Sequence, residues 1–356
     1  GSGGPVMPVL AVAEELRQLA PQTQFLFIGT RRGSERAMVA ALKLPFRPIF
    51  AARWRRFWTL KNLAAPVIFL FSLFQAWRIV KRFQPDVIFS AGGFVAVPVC
   101  WMGKLFKARI VIHQQDARIG LANRLIAPVA NEVTAVFEET AKSFYSGSGL
   151  FATRLRPAAI AVGNPVRPDL LAPNPSVAPK FHLSGKFPLL LVLTGATGAE
   201  QVNQLISEVL PQLTESFQVV HQTGRGKNHI NARVANYQAY ELLEFSDYAG
   251  LLQRADAVVA RAGLSTIAEL SALGKASVII PMPHTHQEDN AKILAAAQAA
   301  VVLGAGRATG SHLLAVLNEL KFNPELAASL AANMRRLMPA GAAEKIARLI
   351  LTYAQR

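Results

Sequence analysis

The chain has 356 residues, with 38 Lys and Arg against 22 Asp and Glu, and a net charge of +16. At roughly 150 residues per domain the length suggests two domains, and 51% hydrophobic against 17% charged residues exclude a disordered chain. A single cysteine, Cys100, excludes an intramolecular disulfide and a Cys-cluster metal site, and fits a reducing compartment.

The chain opens on GSGGPVMP, a Gly-rich stretch that leads into a helical pattern over residues 8–19. Such a loop normally follows a strand, so a strand of roughly ten residues with its lead-in is expected ahead of Gly1. The helix start offers backbone N–H groups and a favourable dipole to an anion. Residues 24–30, 86–93, 108–116, 131–137 and 158–165 read as strands. They are continuous Val/Ile/Phe runs, as in strands buried on both faces of a parallel sheet. Helical stretches lie between them.

Between the first two strands sits an apolar run, LAAPVIFLFSLFQAW, at residues 63–77. Its 15 residues fall short of the roughly 20 needed to cross a bilayer. Arg53, Arg55, Arg56 and Lys61 precede its core, Arg78, Lys81 and Arg82 follow it, and Trp54, Trp58 and Trp77 stand at its edges. Basic and Trp residues around a short apolar helix predict an interfacial membrane contact through Trp58, Phe69, Leu70, Phe71, Leu73, Phe74 and Trp77. The alternative is a buried crossover helix.

Residues 164–180 hold five prolines and no period, which reads as a linker. The pattern then restarts with strand, Gly-rich loop and helix over residues 187–213, and further strands at 217–224, 239–245, 256–263, 276–281 and 299–304. The reading is α/β: two Rossmann-like domains, residues 1–163 and 164–356, with a cleft between them as the default binding site. The last helix, residues 342–354, has apolar positions at helical spacing and could pack back onto the first domain.

Three Gly-rich turns, GSGGPVMP, SAGGFVAVP and LTGATGAEQVN, can each present backbone amides to a phosphate. Together they favour a phosphate-rich ligand. None matches G-x-G-x-x-G and no Gly-Lys-Ser/Thr follows, which disfavours dinucleotide oxidoreductases and P-loop ATPases. In residues 260–291 a strand ends at Arg261-Ala262-Gly263 and a helix starts near Leu264-Ser265-Thr266. Glu269 on that helix can accept hydrogen bonds from ribose hydroxyls, or can simply complement the helix dipole. Gln287 and Asn290 are one helical turn apart and could read sugar hydroxyls. His284 and His286 have no third ligand at convincing spacing, so no metal or other cofactor is expected. The polar segment HQQDARIGLANR, residues 113–124, reads as an acceptor-side loop, and its Asp116 is chemically able to act as the base for an attacking hydroxyl.

Taken together, these segments resemble the MurG family over almost the whole chain. Members transfer N-acetylglucosamine from UDP-N-acetylglucosamine to undecaprenyl-diphospho-N-acetylmuramoyl-pentapeptide, the step from lipid I to lipid II in peptidoglycan synthesis. GSGGPVMPVLAVAEEL, AGGFVAVP, AVGNPVR, TGATGAEQVNQ and RAGLSTIAELSALGKASVIIPMPHTHQEDNA carry the resemblance. It implies the GT-B fold and an inverting hexosyltransferase. It implies donor contacts at Ser2, Gly3, Gly4, Asp116, Arg167, Ala196, Ser246, Leu264, Ser265, Thr266, Ile267, Ala268, Glu269 and Gln287. Within that set Leu264 to Glu269 form the uridine diphosphate shelf, with Glu269 on the ribose. The acceptor diphosphate is expected at Gly3, Gly4, Gly92 and Gly93.

The implied partners are UDP-N-acetylglucosamine, a lipid I-type polyprenyl diphosphate and an anionic inner-membrane surface, with the protein peripheral on the cytoplasmic face of a bacterial membrane. Nucleic acid is not among them. The sequence departs from the family at Pro5, where a His is usual, at Gln114-Gln115-Asp116 for Glu-Gln-Asn, and at Ala196, where a serine hydroxyl is lost. Two other readings remain: a same-fold transferase for another lipid acceptor, and a UDP-sugar-binding, membrane-associated protein with a degraded catalytic site.

The charge is unevenly placed. Residues 1–164 carry 21 basic and 8 acidic side chains, and residues 165–356 carry 17 and 14. The surplus therefore sits on the half that the reading assigns to the lipid acceptor and the membrane. The mean hydropathy of +0.27 also favours a membrane surface over nucleic acid.

Overall fold

The computed structural model describes residues 4–31, 33, 35–50, 65–144, 159–228, 234–304 and 308–355. Ser2, Gly3, Trp58 and the basic residues from Arg53 to Lys61 lie outside them. The chain divides into two compact units, one of Gly1–Arg167 with Pro339–Arg356 and the other of Pro168–Met338. The division thus falls at Arg167 rather than Gly163, and the C-terminal segment belongs with the first unit.

In chain order the first unit runs α1 (Val6–Leu19), β1 (Phe27–Thr30), α2 (Glu35–Ala41), β2 (Phe46–Ile49), α3 (Ala65–Phe83), β3 (Val87–Ser90), α4 (Ala96–Leu105), β4 (Arg109–Gln114), α5 (Leu121–Ile126), β5 (Glu132–Ala135), α6 (Glu138–Ser143) and β6 (Ala159–Ala161). The second runs α7 (Val177–Lys180), β7 (Leu189–Leu193), α8 (Glu200–Ser216), β8 (Gln218–Gln222), β9 (Tyr237–Tyr240), α9 (Phe245–Arg254), β10 (Ala257–Ala260), α10 (Leu264–Leu273), β11 (Ser277–Ile279), α11 (His286–Ala296), β12 (Val301–Val302), α12 (Gly310–Phe322) and α13 (Pro324–Arg336), after which α14 (Ala342–Ala354) returns to the first.

The second unit is built on one parallel sheet of order β12-β11-β10-β7-β8-β9. β7, β8 and β10 are buried along their whole length; β7 and β10 are accordingly unbroken apolar runs, whereas β8 buries His221 and Gln222 with hydrogen-bond partners in Asn203 and the Leu243 N–H. Counted from β7, that order is the doubly wound 6-5-4-1-2-3, and the strand order reverses between β7 and β10. Of residues 164–180, expected as a linker, those from Pro168 belong to this unit and pack on it instead. Leu170, Val177 and Phe181 are buried, and Gln253 Nε2 donates to the carbonyls of Leu170 and Ala172.

In the first unit β3-β4-β5-β6 form one parallel sheet and β1-β2 a separate parallel pair. α14 places Ile346, Ala347 and Ile350 in a buried cluster with Val12 and Leu16 of α1 and Val111 of β4. Among the described residues no strand pairs with the second edge of β1 or of β3. A cavity of about 570 Å³ runs along both edges, lined by apolar side chains that include Val9, Leu16, Phe27, Val80, Ile88 and Val99.

Candidate functional site

In an open doubly wound sheet, ligands sit beyond the carboxyl ends of the strands, where the strand order reverses. In the second unit the loops there are Thr194–Ala199 after β7 and Arg261–Gly263 after β10, each opening a helix. α8, α9 and α10 start without a side-chain cap, whereas Thr285, Thr309 and Asn323 cap α11, α12 and α13. Uncapped first-turn amides are donors that an anion can satisfy. The β7–α8 loop is held tightly. Thr194 Oγ1 donates to the Gln222 carbonyl at 2.7 Å, and Asn203 Nδ2 donates to the Thr223 carbonyl at 3.0 Å. Gly198, at φ +71°, lies back to back with Gly224, where a Cβ would come 2.2 Å from Gly198 Cα. Ala196 is exposed on this loop.

The shelf at the start of α10 is narrower than the sequence reading had it. Ile267 and Ala268 are buried in the helix–sheet packing, and the Ile267 N–H is spent on the Gly263 carbonyl at 2.9 Å. The Leu264 side chain is buried too, so only its backbone faces the loop end. That leaves the amides of Leu264, Ser265 and Thr266, with the two hydroxyls half-buried. Glu269 is buried one turn further on and accepts a hydrogen bond from the Tyr248 hydroxyl. Gln287 accepts from Met282 N at 3.0 Å and from Arg261 Nε at 3.3 Å, so its carbonyl end is used to shape the loop. Asn290 shares its face but is buried, and donates to the Ala262 carbonyl at 3.0 Å. It supports the turn rather than facing solvent. Ser246 is exposed at the start of α9, its carbonyl accepting from Asn174 at 2.8 Å.

Arg261 was read only as the end of a strand. Its guanidinium is half-buried beside the α10 N-terminus, and among the described residues it pairs with no carboxylate. A cation there adds to the positive end of the helix. The signal available in the sequence was its place, directly after the strand and before the Gly.

In the first unit the structure brings three expected loops together. A Cβ on Gly92 would stand 3.3 Å from Asn123 Oδ1, and one on Gly4 3.7 Å from Gln115 Nε2. Gly92 and Gly93 both take φ +94°, a conformation open to glycine. Asn123 Nδ2 donates to the His113 carbonyl and to Gln114 Oε1, and Gln114 Nε2 ties down the carbonyls of Asp116 and Arg118. Gln115 Oε1 and Asn123 Oδ1 are buried with no partner among the described residues, an arrangement that suits a polar ligand. Asp116 is half-buried at this edge. His113, held by Thr134 and Asn164, is pushed down to about 4 by burial and is neutral near pH 7. Arg167 forms a two-pronged ion pair with Glu14 of α1, at 2.8 and 2.6 Å. Its charge therefore already has a carboxylate partner. Pro5 is the residue before α1 and lines the cavity between β1 and β3.

α3 carries two apolar faces. Ser72, Ala76 and Val80 are buried against the unit, while Val67, Leu70, Phe71 and Phe74 are exposed in an i, i+3, i+4, i+7 stripe. Phe69 leaves the predicted contact set, because it packs on the core cluster around Cys100 and Ile110. Leu73 and Trp77 are half-buried, and the Trp77 ring stacks on Phe74 and carries Lys81 Nζ at 5.0 Å. Among the described residues no helix is long and apolar enough to cross a membrane. Nor do three His, Cys, Asp or Glu side chains there form a group that could hold a metal ion.

Residues 1–135 match the glycosyltransferase family 28 N-terminal domain and residues 189–349 its C-terminal domain. A Pseudomonas fluorescens UDP-N-acetylglucosamine–N-acetylmuramyl-(pentapeptide) pyrophosphoryl-undecaprenol N-acetylglucosamine transferase is 33% identical, over 99% of this chain and 97% of its own. The protein of the same name from Listeria welshimeri is 30% identical, over 99% and 97%. A crystal structure of Acinetobacter baumannii MurG superposes with a TM-score of 0.72 at 27% identity, covering 98% of this chain and 96% of that one. A UDP-GlcNAc 2-epimerase from Neisseria meningitidis shares the fold, with a TM-score of 0.67 at 15% identity, over 99% and 97%.

Proposed function

The chain belongs to the MurG family of glycosyltransferases, a GT-B enzyme of two Rossmann-like domains, and from that premise we propose how its residues divide the reaction. The reaction is transfer of N-acetylglucosamine from UDP-N-acetylglucosamine to a polyprenyl-diphosphate-linked N-acetylmuramoyl-pentapeptide. The observation that carries the donor assignment is the uncapped start of α10 at the strand-order reversal, with Arg261 and the buried Glu269 beside it.

The donor diphosphate lies against the amides of Leu264, Ser265 and Thr266, the ribose against Glu269, and the sugar near the amide end of Gln287. The acceptor hydroxyl oxygen attacks the anomeric carbon and the carbon–oxygen bond to the diphosphate breaks, so uridine diphosphate leaves with the electron pair and configuration inverts. The helix-terminal amides and Arg261 stabilise the negative charge that gathers on the leaving group. The hydroxyl proton passes to a carboxylate, for which Asp116 is the candidate.

The acceptor diphosphate is assigned to Gly4, Gly92 and Gly93 in the first unit. The exposed stripe of α3, with Arg78, Lys81 and Arg82, is assigned to an anionic membrane surface on the cytoplasmic side. Pro5 supports the second reading, of a UDP-sugar-binding protein without turnover, because proline cannot take a proton. One assay decides between them: lipid II formation from UDP-N-acetylglucosamine and lipid I by the purified protein. Donor binding without product, with product restored by Pro5→His, would overturn the catalytic reading.

A further inference from the structure

Tyr248 belongs to none of the motifs above, yet its hydroxyl bonds Glu269 in the donor crevice. It lies in the first turn of α9, and that helix is anchored on several sides. Asp247 next to it pairs with Lys180 at 2.6 Å, Asn174 holds the Ser246 carbonyl, and Gln253 ties the far end to Leu170 and Ala172. The Tyr248 ring is half-buried and stacks on Phe245 with centroids 6.3 Å apart. Its hydroxyl reaches inward and donates to Glu269 Oε2. Burial, then the neighbouring Glu269, hold the phenol pKa far above its ordinary value, so the group remains a donor at any working pH.

Tyr248 of α9 and Glu269 of α10 are therefore joined by a hydrogen bond one turn along from the amide shelf of α10. A glutamate has three rotatable side-chain bonds and, when buried, needs a partner for its charge. A hydrogen bond from a rigid phenol on an anchored helix fixes the plane of the carboxylate before any ligand arrives. A carboxylate held in this way reads a ribose hydroxyl without first having to be ordered.

We propose that Tyr248 is a positioning residue for the nucleotide-sugar donor, and that the preference for ribose over deoxyribose belongs to the Tyr248–Glu269 pair rather than to Glu269 alone. This rests on the donor site assigned above. The test measures dissociation constants of UDP and 2′-deoxy-UDP by calorimetry for the full chain, Tyr248→Phe, Glu269→Gln and the double variant, alongside donor KM and kcat. Tyr248→Phe removes one oxygen and keeps the ring stacking.

The wild type is expected to favour UDP by ~tenfold or more, the size of one hydrogen bond to a charged group. Tyr248→Phe is expected to lose most of that ratio and raise donor KM while kcat stays within about twofold, and the double variant is expected to be no worse than Glu269→Gln. A Tyr248→Phe protein that keeps the full ratio overturns the proposal and leaves the donor site standing. A wild type with no ratio, and a Glu269→Gln protein that binds UDP as tightly as it, overturn the donor site and the proposal together.

Discussion

The exposed stripe of α3 gives the sharpest quantitative prediction. Leu70, Phe71 and Phe74 are 66%, 49% and 55% exposed, and each lies on the face turned away from the buried Ser72, Ala76 and Val80. Full burial of a Leu or Phe side chain is worth ~2–3 kcal/mol, so the exposed fractions leave about 1–2 kcal/mol each and about 3–5 kcal/mol for the three together. Replacing all three by Ser should therefore weaken partitioning onto lipid vesicles by on the order of 10²–10⁴-fold. The core is untouched, so far-ultraviolet circular dichroism should not change. Changing Arg78, Lys81 and Arg82 to Gln should cost ~1 kcal/mol each on vesicles rich in anionic lipid and almost nothing on neutral ones, and the difference should fade with added salt. The assay is co-sedimentation with sucrose-loaded vesicles across lipid concentration. Equal partitioning of wild type and triple Ser variant on anionic vesicles would refute the membrane assignment of this face.

Other expectations follow from single features. Gly263 precedes α10 with an ordinary negative φ and nothing within 4 Å of an added Cβ. Gly263→Asp should cap the helix, gaining a few tenths of a kcal/mol in urea denaturation, while raising donor KM by repelling the diphosphate; an unchanged KM would remove the diphosphate from this helix end. His113 and His221 are lowered by burial to about 4 and about 3, so both are neutral when folded, whereas unfolded imidazoles take up protons below about 6.5. Stability is thus complete above that pH and is lost as pH falls towards the folded values, by ~2 kcal/mol per His at pH 5; equal urea midpoints at pH 7.5 and 5 would contradict it. Finally, a seven-residue Val/Ile/Leu extension added ahead of Gly1 should enter the cavity between β1 and β3, slowing amide exchange at Phe27–Thr30 and Val87–Ser90. The same extension with a central proline should not do so.

The second unit was legible in the sequence because its signals are local. Unbroken apolar runs such as Leu189–Leu193 announce strands covered on both faces, and the Gly residues after them mark where the chain must turn sharply into a helix. The first unit was less legible, because pairing between β1 and β3 is a property of register and neighbours, not of either segment. Each is a good strand by composition, yet they belong to different sheets. The proline-rich segment misled for a related reason. Proline and the lack of a period signal irregular backbone, but say nothing about whether Leu170, Val177 and Phe181 find a surface to bury against.

At the donor crevice, motif spacing found the helix that matters but could not sort its residues. Ile267 and Ala268 look inward and Ser265 and Thr266 do not, a difference of helical phase set by which face meets the sheet. Arg261 and Tyr248 escaped for opposite reasons. Arg261 matters because among the described residues it meets Gln287 and no carboxylate, and sequence records which residues are present, not which of them meet. Tyr248 acts across 21 residues of chain, from one helix to the next. Both become visible only in the folded unit, where Tyr248 of α9 meets Glu269 of α10 and Arg261 stands at the end of β10. A carboxylate that looked like a self-sufficient ribose ligand then turns out to be held by a phenol, and the recognition of one hydroxyl becomes a property of two helices.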